Sequence, residues 1–117
     1  MRGLEKLHAR YMQDPIPVRL GGLAANLSRV ASFSKHAEHK GAVSEMMQES
    51  KWFIEWTAAE LEIERAAELV RLQVRLAAWQ VQAQTEWDNE SWGNRLITDS
   101  RQWSERLLET SGLLQAN

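Results

Sequence analysis

A chain of 117 residues, 44% hydrophobic and 26% charged, is long enough to bury one core and too apolar for wholesale disorder. It has no cysteine, which excludes disulfides, thiol nucleophiles and cysteine-ligated metal centres. The net charge of −2 hides an asymmetry. Residues 1–40 carry seven lysines and arginines against three acids, for +4, and the remainder carries −6.

The simplest reading of that asymmetry is two parts that neutralise each other on packing. A basic N-terminal third docking an anionic partner is the alternative, at a density short of a nucleic-acid-binding stripe. No uncharged apolar run approaches a membrane span. Charges throughout "MRGLEKLHARYMQD" leave no apolar segment for a secretory signal. A cytoplasmic protein without a membrane partner is expected.

In chain order, Leu4, Leu7, His8 and Tyr11 recur at helical spacing and predict a short N-terminal helix, loosely attached within residues 1–14. Pro15 and Pro17 close that segment and suit the first turn of the next helix. Leu20, Leu23, Leu27, Val30 and Ser34 then form one stripe, which predicts an amphipathic helix over about 17–38, with Gly41 as its stop.

From Ala42 to Ser91 there is neither glycine nor proline. At 100° per residue two apolar stripes keep phase throughout. One holds Val43, Met47, Ile54, Ala58, Leu61, Leu69, Leu72, Leu76 and Trp79. The other holds Trp52, Trp56, Ala59, Ile63, Ala66, Val70, Val74, Ala77 and Val81. Unbroken phase favours one central helix over about 43–84, roughly 60 Å long at 1.5 Å per residue. The counter-signal is "TAAE" at 57–60, a capping-box pattern that would start a fresh helix and fold the rod into a compact bundle. The last segment has Trp92, Leu96, Ser100, Trp103, Leu107, Ser111 and Leu114 on one seam. It predicts a helix over about 89–112, capped by Asp88 or Asn89 and stopped at Gly112. Trp87 and Trp92 would clamp its entry corner. Arg95–Asp99 and Arg101–Glu105 are spaced as i, i+4 ion pairs. No strand pattern competes. The expected fold is an all-α helical bundle in a single domain, 1–117.

Reactive constellations are thin. His36 and His39 in "HAEH" are spaced as metal ligands, but Glu38 alone lies nearby, on another face, so solvated residues at a helix end are the plainer reading. Glu5-x-x-His8 lacks the second copy that a di-metal bundle needs. Glu60, Glu64 and Glu68 share a face with Arg71 and Arg75, the pattern of a solvated, self-paired surface. No nucleophile elbow, phosphate loop or dinucleotide fingerprint is present. Neither a catalytic role nor a cofactor is expected.

Six tryptophans are the anomaly. A central helix with two stripes has more apolar surface than two flanking helices cover. The surplus suggests a non-catalytic interaction or scaffold protein, a homodimer or one with another protein partner, with Trp52, Trp56, Ile63, Val70 and Trp79 carrying the contact. A bundle holding a small flat apolar ligand or pigment is the alternative. The stretches "QDPIPVRLGGLAANLSRVASFS", "ESKWFIEWTAAE" and "RQWSERLLETSGLL" resemble a set of small all-helical cyanobacterial hypothetical proteins. The resemblance implies a cytosolic protein of a photosynthetic bacterium and assigns no activity or functional residue.

Overall fold

The structure, a computed structural model, describes residues 2–113. It contains α1 (Arg2–Met12), α2 (Ile16–Phe33), α3 (Lys40–Ala58), α4 (Ile63–Glu86) and α5 (Glu90–Ser111), with a single turn of 3-10 helix at Ala37–His39. No strand occurs among the described residues. The all-α bundle expected from the periodicity is therefore the observed architecture. Leu114, counted on the last seam, lies outside the described residues.

The single central helix does not form. The chain turns at 59–62, and α3 and α4 pack as a hairpin. A 60 Å rod would exceed the longest dimension of the fold, 40 Å. The turn needs no glycine or proline. Ala59 keeps helical angles, and Glu62 takes an extended conformation at φ −61°, ψ 158°, open to any residue. Three contacts fix it. Glu60 pairs with Arg19 at 2.8 Å, Thr57 donates to the Tyr11 hydroxyl at 3.4 Å, and Leu61 turns inward against the core. Thr57 is buried and caps nothing; Glu62 occupies the cap of α4. Folding back lets both inner faces of the hairpin reach one core.

The second helix also ends earlier than its stripe suggests, at Phe33 instead of residue 38. The Ser34 hydroxyl donates to the Val30 carbonyl at 2.6 Å, and His39 Nδ1 lies 3.2 Å from the Phe33 carbonyl oxygen. These side chains take up carbonyls that a helix end leaves open. Gly41 is no stop; it sits in the first turn of α3.

Other terminal signals act as expected. Pro15 and Pro17 begin α2, where their missing N–H groups leave no bond unmade. Asn89 caps α5 by accepting from the Trp92 backbone N–H at 3.2 Å. Gly112 ends α5 at φ +95°, a left-handed angle that side chains other than glycine resist. Trp87 and Trp92 meet across this corner with ring centres 6.4 Å apart. Trp87 Nε1 also donates to the Ala37 carbonyl at 2.9 Å, tying the α2–α3 loop to the corner.

The core forms where α2, α3, α4 and α5 converge. Leu23, Leu27, Met47, Ile54, Leu76 and Leu96 are each at most 1% exposed. At 1.5–3 kcal/mol per fully buried aliphatic side chain, burial of this kind drives the fold. α2 lies between α3 and α5 and makes its largest contact with α5. Small residues accompany that contact: Ala24 and Ala31 on α2 and Ser100, Ser104 and Ser111 on α5 are all buried. The backbones come close enough for the Ser104 hydroxyl to donate to the Ala24 carbonyl at 2.7 Å. α4 meets α5 more sparingly, helped by the exposed Arg106–Glu68 pair at 2.8 Å. Arg95–Asp99 and Arg101–Glu105 form no ion pair; Arg95 donates instead to Ser91.

Candidate interaction surface

The residues expected to carry an interaction divide three ways. Trp79 is 3% exposed and belongs to the core, so it offers no surface. Its position on the inner stripe with Leu72 and Leu76 places it there. Trp52 and Trp56 stack with ring centres 6.3 Å apart and planes 16° from parallel. They are half-buried, and Trp56 meets α1. The His8 ring meets Trp56 edge-on at 4.7 Å, and Tyr11 lies flat on Phe53 at 3.9 Å. Trp56 thus contacts α1 through His8 and Tyr11, while Trp52 stacks on Trp56.

Ile63 and Val70 are different. Ile63 is 86% exposed and Val70 is 47% exposed. Val74 and Val81, each 66% exposed, continue the same line along α4, with Ala77 exposed between them and Ala67 half-buried. The positions 63, 67, 70, 74, 77 and 81 alternate by four and three residues, the heptad pattern of a helix seam that meets another helix. The opposite face of α4 carries Leu69, Leu72, Leu76 and Trp79 into the core. Scattered exposed aliphatics are ordinary; a continuous line of them is the mark of a contact surface. Once the chain turns at 59–62, this line no longer shares a helix with Trp52 and Trp56. Trp56 packs against α1, and the aliphatic line remains open.

Two polar networks escaped the sequence reading. Arg19 is buried and bonds three ways: Nε to the Asp14 carbonyl at 2.8 Å, Nη1 to Glu60 at 2.8 Å and Nη2 to the Met12 carbonyl at 3.5 Å. The Tyr11 hydroxyl donates to the Arg19 carbonyl at 2.9 Å. Burial pushes the Tyr11 phenol up to about 12, against smaller lowering effects of the Thr57 hydrogen bond and the Arg19 charge. Asn26, 1% exposed, donates to Glu49 at 3.1 Å and accepts from Arg29. The one available signal was position. Arg19, Leu23, Asn26 and Val30 follow at spacings of four, three and four, which puts both polar residues on the buried stripe.

These networks join the basic first third to the acidic remainder, through Arg19–Glu60 and through Asn26, Arg29 and Glu49. Each buried side-chain polar atom among the described residues has a partner. His39 caps α2, and His36 meets it ring to ring at 5.4 Å. Among the described residues no three histidine, aspartate or glutamate side chains gather as a metal would require. Glu68 pairs with Arg106 and Glu60 with Arg19, and none of Glu60, Glu64 and Glu68 forms an ion pair with Arg71 or Arg75. The cavity among α2, α4 and α5, lined by Leu20, Leu69 and Leu107, holds about 40 Å³, space for one or two waters.

No helix among the described residues is long and apolar enough to cross a membrane. Compared with known proteins, the chain matches no family model, no curated protein and no solved structure.

Proposed function

We propose that the protein is a non-catalytic helical interaction module of the cytoplasm that self-associates through the outward face of α4. The observation that carries this reading is the continuous exposed line of Ile63, Val70, Val74 and Val81 at the spacing of a helix–helix seam. Its helix is already ordered by the opposite face, so association has little conformational entropy to overcome. The remaining readings have less support. The apolar cavity among α2, α4 and α5 is too small for a flat pigment or ligand at about 40 Å³, and the larger clefts, such as that of about 550 Å³ beside Tyr11 and Gly22, are lined in part by charged residues including Arg10, Asp14 and Glu49. The basic third spends Arg19 and Arg29 on internal bonds, which weakens the case for an anionic partner.

A contact one helix wide is small for a specific interface, so affinity on the order of micromolar is expected. Sedimentation across a concentration series tests it. The wild-type mass should approach twice 13.5 kDa at high concentration. A Val70→Glu/Val74→Glu variant should stay monomeric and keep its melting temperature, since both positions lie outside the core. A variant that associates as the wild type does would sink the proposal.

A further inference from the structure

The turn at 59–62 carries neither the side-chain cap nor the glycine that bound α5. Ala59 keeps helical angles, and the Glu62 side chain caps nothing. The backbone N–H groups of Glu60 and Leu61 still reach the carbonyls of Thr57 and Ala58, at 3.0 and 3.1 Å, so the chain stays wound until Glu62. Residues 58–62 are alanine, glutamate and leucine, all strong helix formers. The bend is held from outside, chiefly by Arg19 on Glu60 at 2.8 Å. Phase is a second observation. At 100° per residue, buried Val43, Met47 and Ile54 of α3 and buried Leu69, Leu72 and Trp79 of α4 fall within one arc of about 80°. A hairpin imposes no such relation, because a turn can leave its two helices at any rotation. A continuous helix requires it.

We propose that this turn is a hinge at which two copies of the chain exchange their α4–α5 halves. With the hinge helical, α3 runs on into α4, and two such joined helices lie antiparallel. α3 of one copy then meets α4 of the other in the same sense as in the hairpin. The inner stripe of each joined helix faces the other along its length. α5 travels with α4, so its large contact with α2 is made again between copies, with the Ser104 hydroxyl on the partner's Ala24 carbonyl. Within the moving half α4 and α5 touch only sparingly. The core contacts of that half are therefore mainly ones that a second copy can supply. The exchange takes Glu60 from Arg19, which keeps the Asp14 and Met12 carbonyls, and gains the backbone bonds of an unbroken helix. The outward face of α4 takes no part, so the exchange is separate from the surface association proposed above.

The chain has no cysteine, and the side chains of Gln48 on α3 and Gln80 on α4 meet at 3.5 Å. Single variants Gln48→Cys and Gln80→Cys are made in the Val70→Glu/Val74→Glu background, which removes surface association. They are mixed, unfolded in urea, refolded at high concentration and treated with a short bismaleimide. Exchange should link the two variants to each other in a dimer that survives dilution. Either variant alone should stay unlinked, since equivalent positions lie at least about 35 Å apart along the joined helices. Ile63→Pro suits the hairpin, as the first residue of α4 behind an extended Glu62 at ψ 158°, but breaks a continuous helix. It should keep the melting temperature and cut the linked yield by about tenfold or more. Glu60→Ala, which removes the Arg19 contact and favours the helix, should raise the yield severalfold. A refolded mixture without linked product overturns the proposal, whether or not the wild type sediments as a dimer. An undiminished yield from folded Ile63→Pro chains, or a yield that Glu60→Ala leaves unchanged, overturns it as well.

Discussion

The buried faces of α2 and α5 include two alanines and three serines, whereas the outward face of α4 is built from isoleucine, valine and alanine and faces solvent. Hydropathy alone would have placed them the other way round. The serines can lie inside because each hydroxyl finds a carbonyl, Ser100 at Leu96 and Ser104 at Ala24. Their small size then brings two backbones together over most of their length. The valines of α4 stay outside because Leu69, Leu72, Leu76 and Trp79 already fill the inner side of that helix. Burial here follows available space and satisfied bonds, and the apolar residues left over mark the surface that another chain can use.

The sharpest way to break this comparison is to make one substitution in both regions. Ala24→Leu adds three carbons at a fully buried site against α5 and should lower unfolding stability by about 3 kcal/mol in urea titration. Ala77→Leu adds the same carbons to the open face of α4. Measured at a concentration where the chain is monomeric, it should change stability by less than about 0.5 kcal/mol. Equal effects at the two sites would remove the distinction between them.

A smaller effect tests whether burial of a polar group behaves as the comparison implies. Tyr11 is the single tyrosine, and burial lifts its phenol from 10.0 to about 12. The folded state therefore holds the proton more tightly than the unfolded state. Stability from this group is complete below pH 10 and is lost as pH rises through about 12. The total is on the order of 2 kcal/mol. Tyrosinate absorbance should titrate late in the folded protein, and Tyr11→Phe should flatten the alkaline decline. The smallest expected change is a gain. A Cβ on Gly93 would meet nothing within 4 Å, so Gly93→Ala inside α5 should raise stability by up to about 1 kcal/mol in thermal unfolding.

Much of this arrangement could be read from the residues. The fifth helix was legible at both ends, because its cap and its stop each demand a residue type. Asn89 supplies an acceptor, and Gly112 tolerates a positive φ. The α3–α4 corner was hidden for the opposite reason. Its angles suit any residue, so neither glycine nor proline announces it, and the stripes on either side keep phase through it. The informative fact was the pair of opposed stripes itself, which a straight helix in a chain this short could not bury on both sides. Periodicity sets Ile63 and Val70 on the outer stripe, and both are exposed. Ring size alone suggests Trp79 as a contact residue, whereas its phase with Leu72 and Leu76 sets it inside, where it is buried. Arg19 and Asn26 were read past because a charged or amide group on an apolar stripe looks like a break in the pattern, when it is the mark of a buried bond.

The contact between Ser104 and the Ala24 carbonyl spans 80 residues of sequence. During synthesis α3 and α4 can pair as soon as both have emerged, through a turn of four residues. α2 can pair only with α3 at that stage: its apolar face is complete from residue 33 onward and has no α5 to meet until more than fifty further residues are made. Closing so long a loop comes late, and folding slows as contacts become distant in sequence. The growing chain therefore carries Leu20, Leu23 and Leu27 only partly covered through most of its assembly. This makes α2 the stretch on which chaperone binding or misassociation during synthesis would centre.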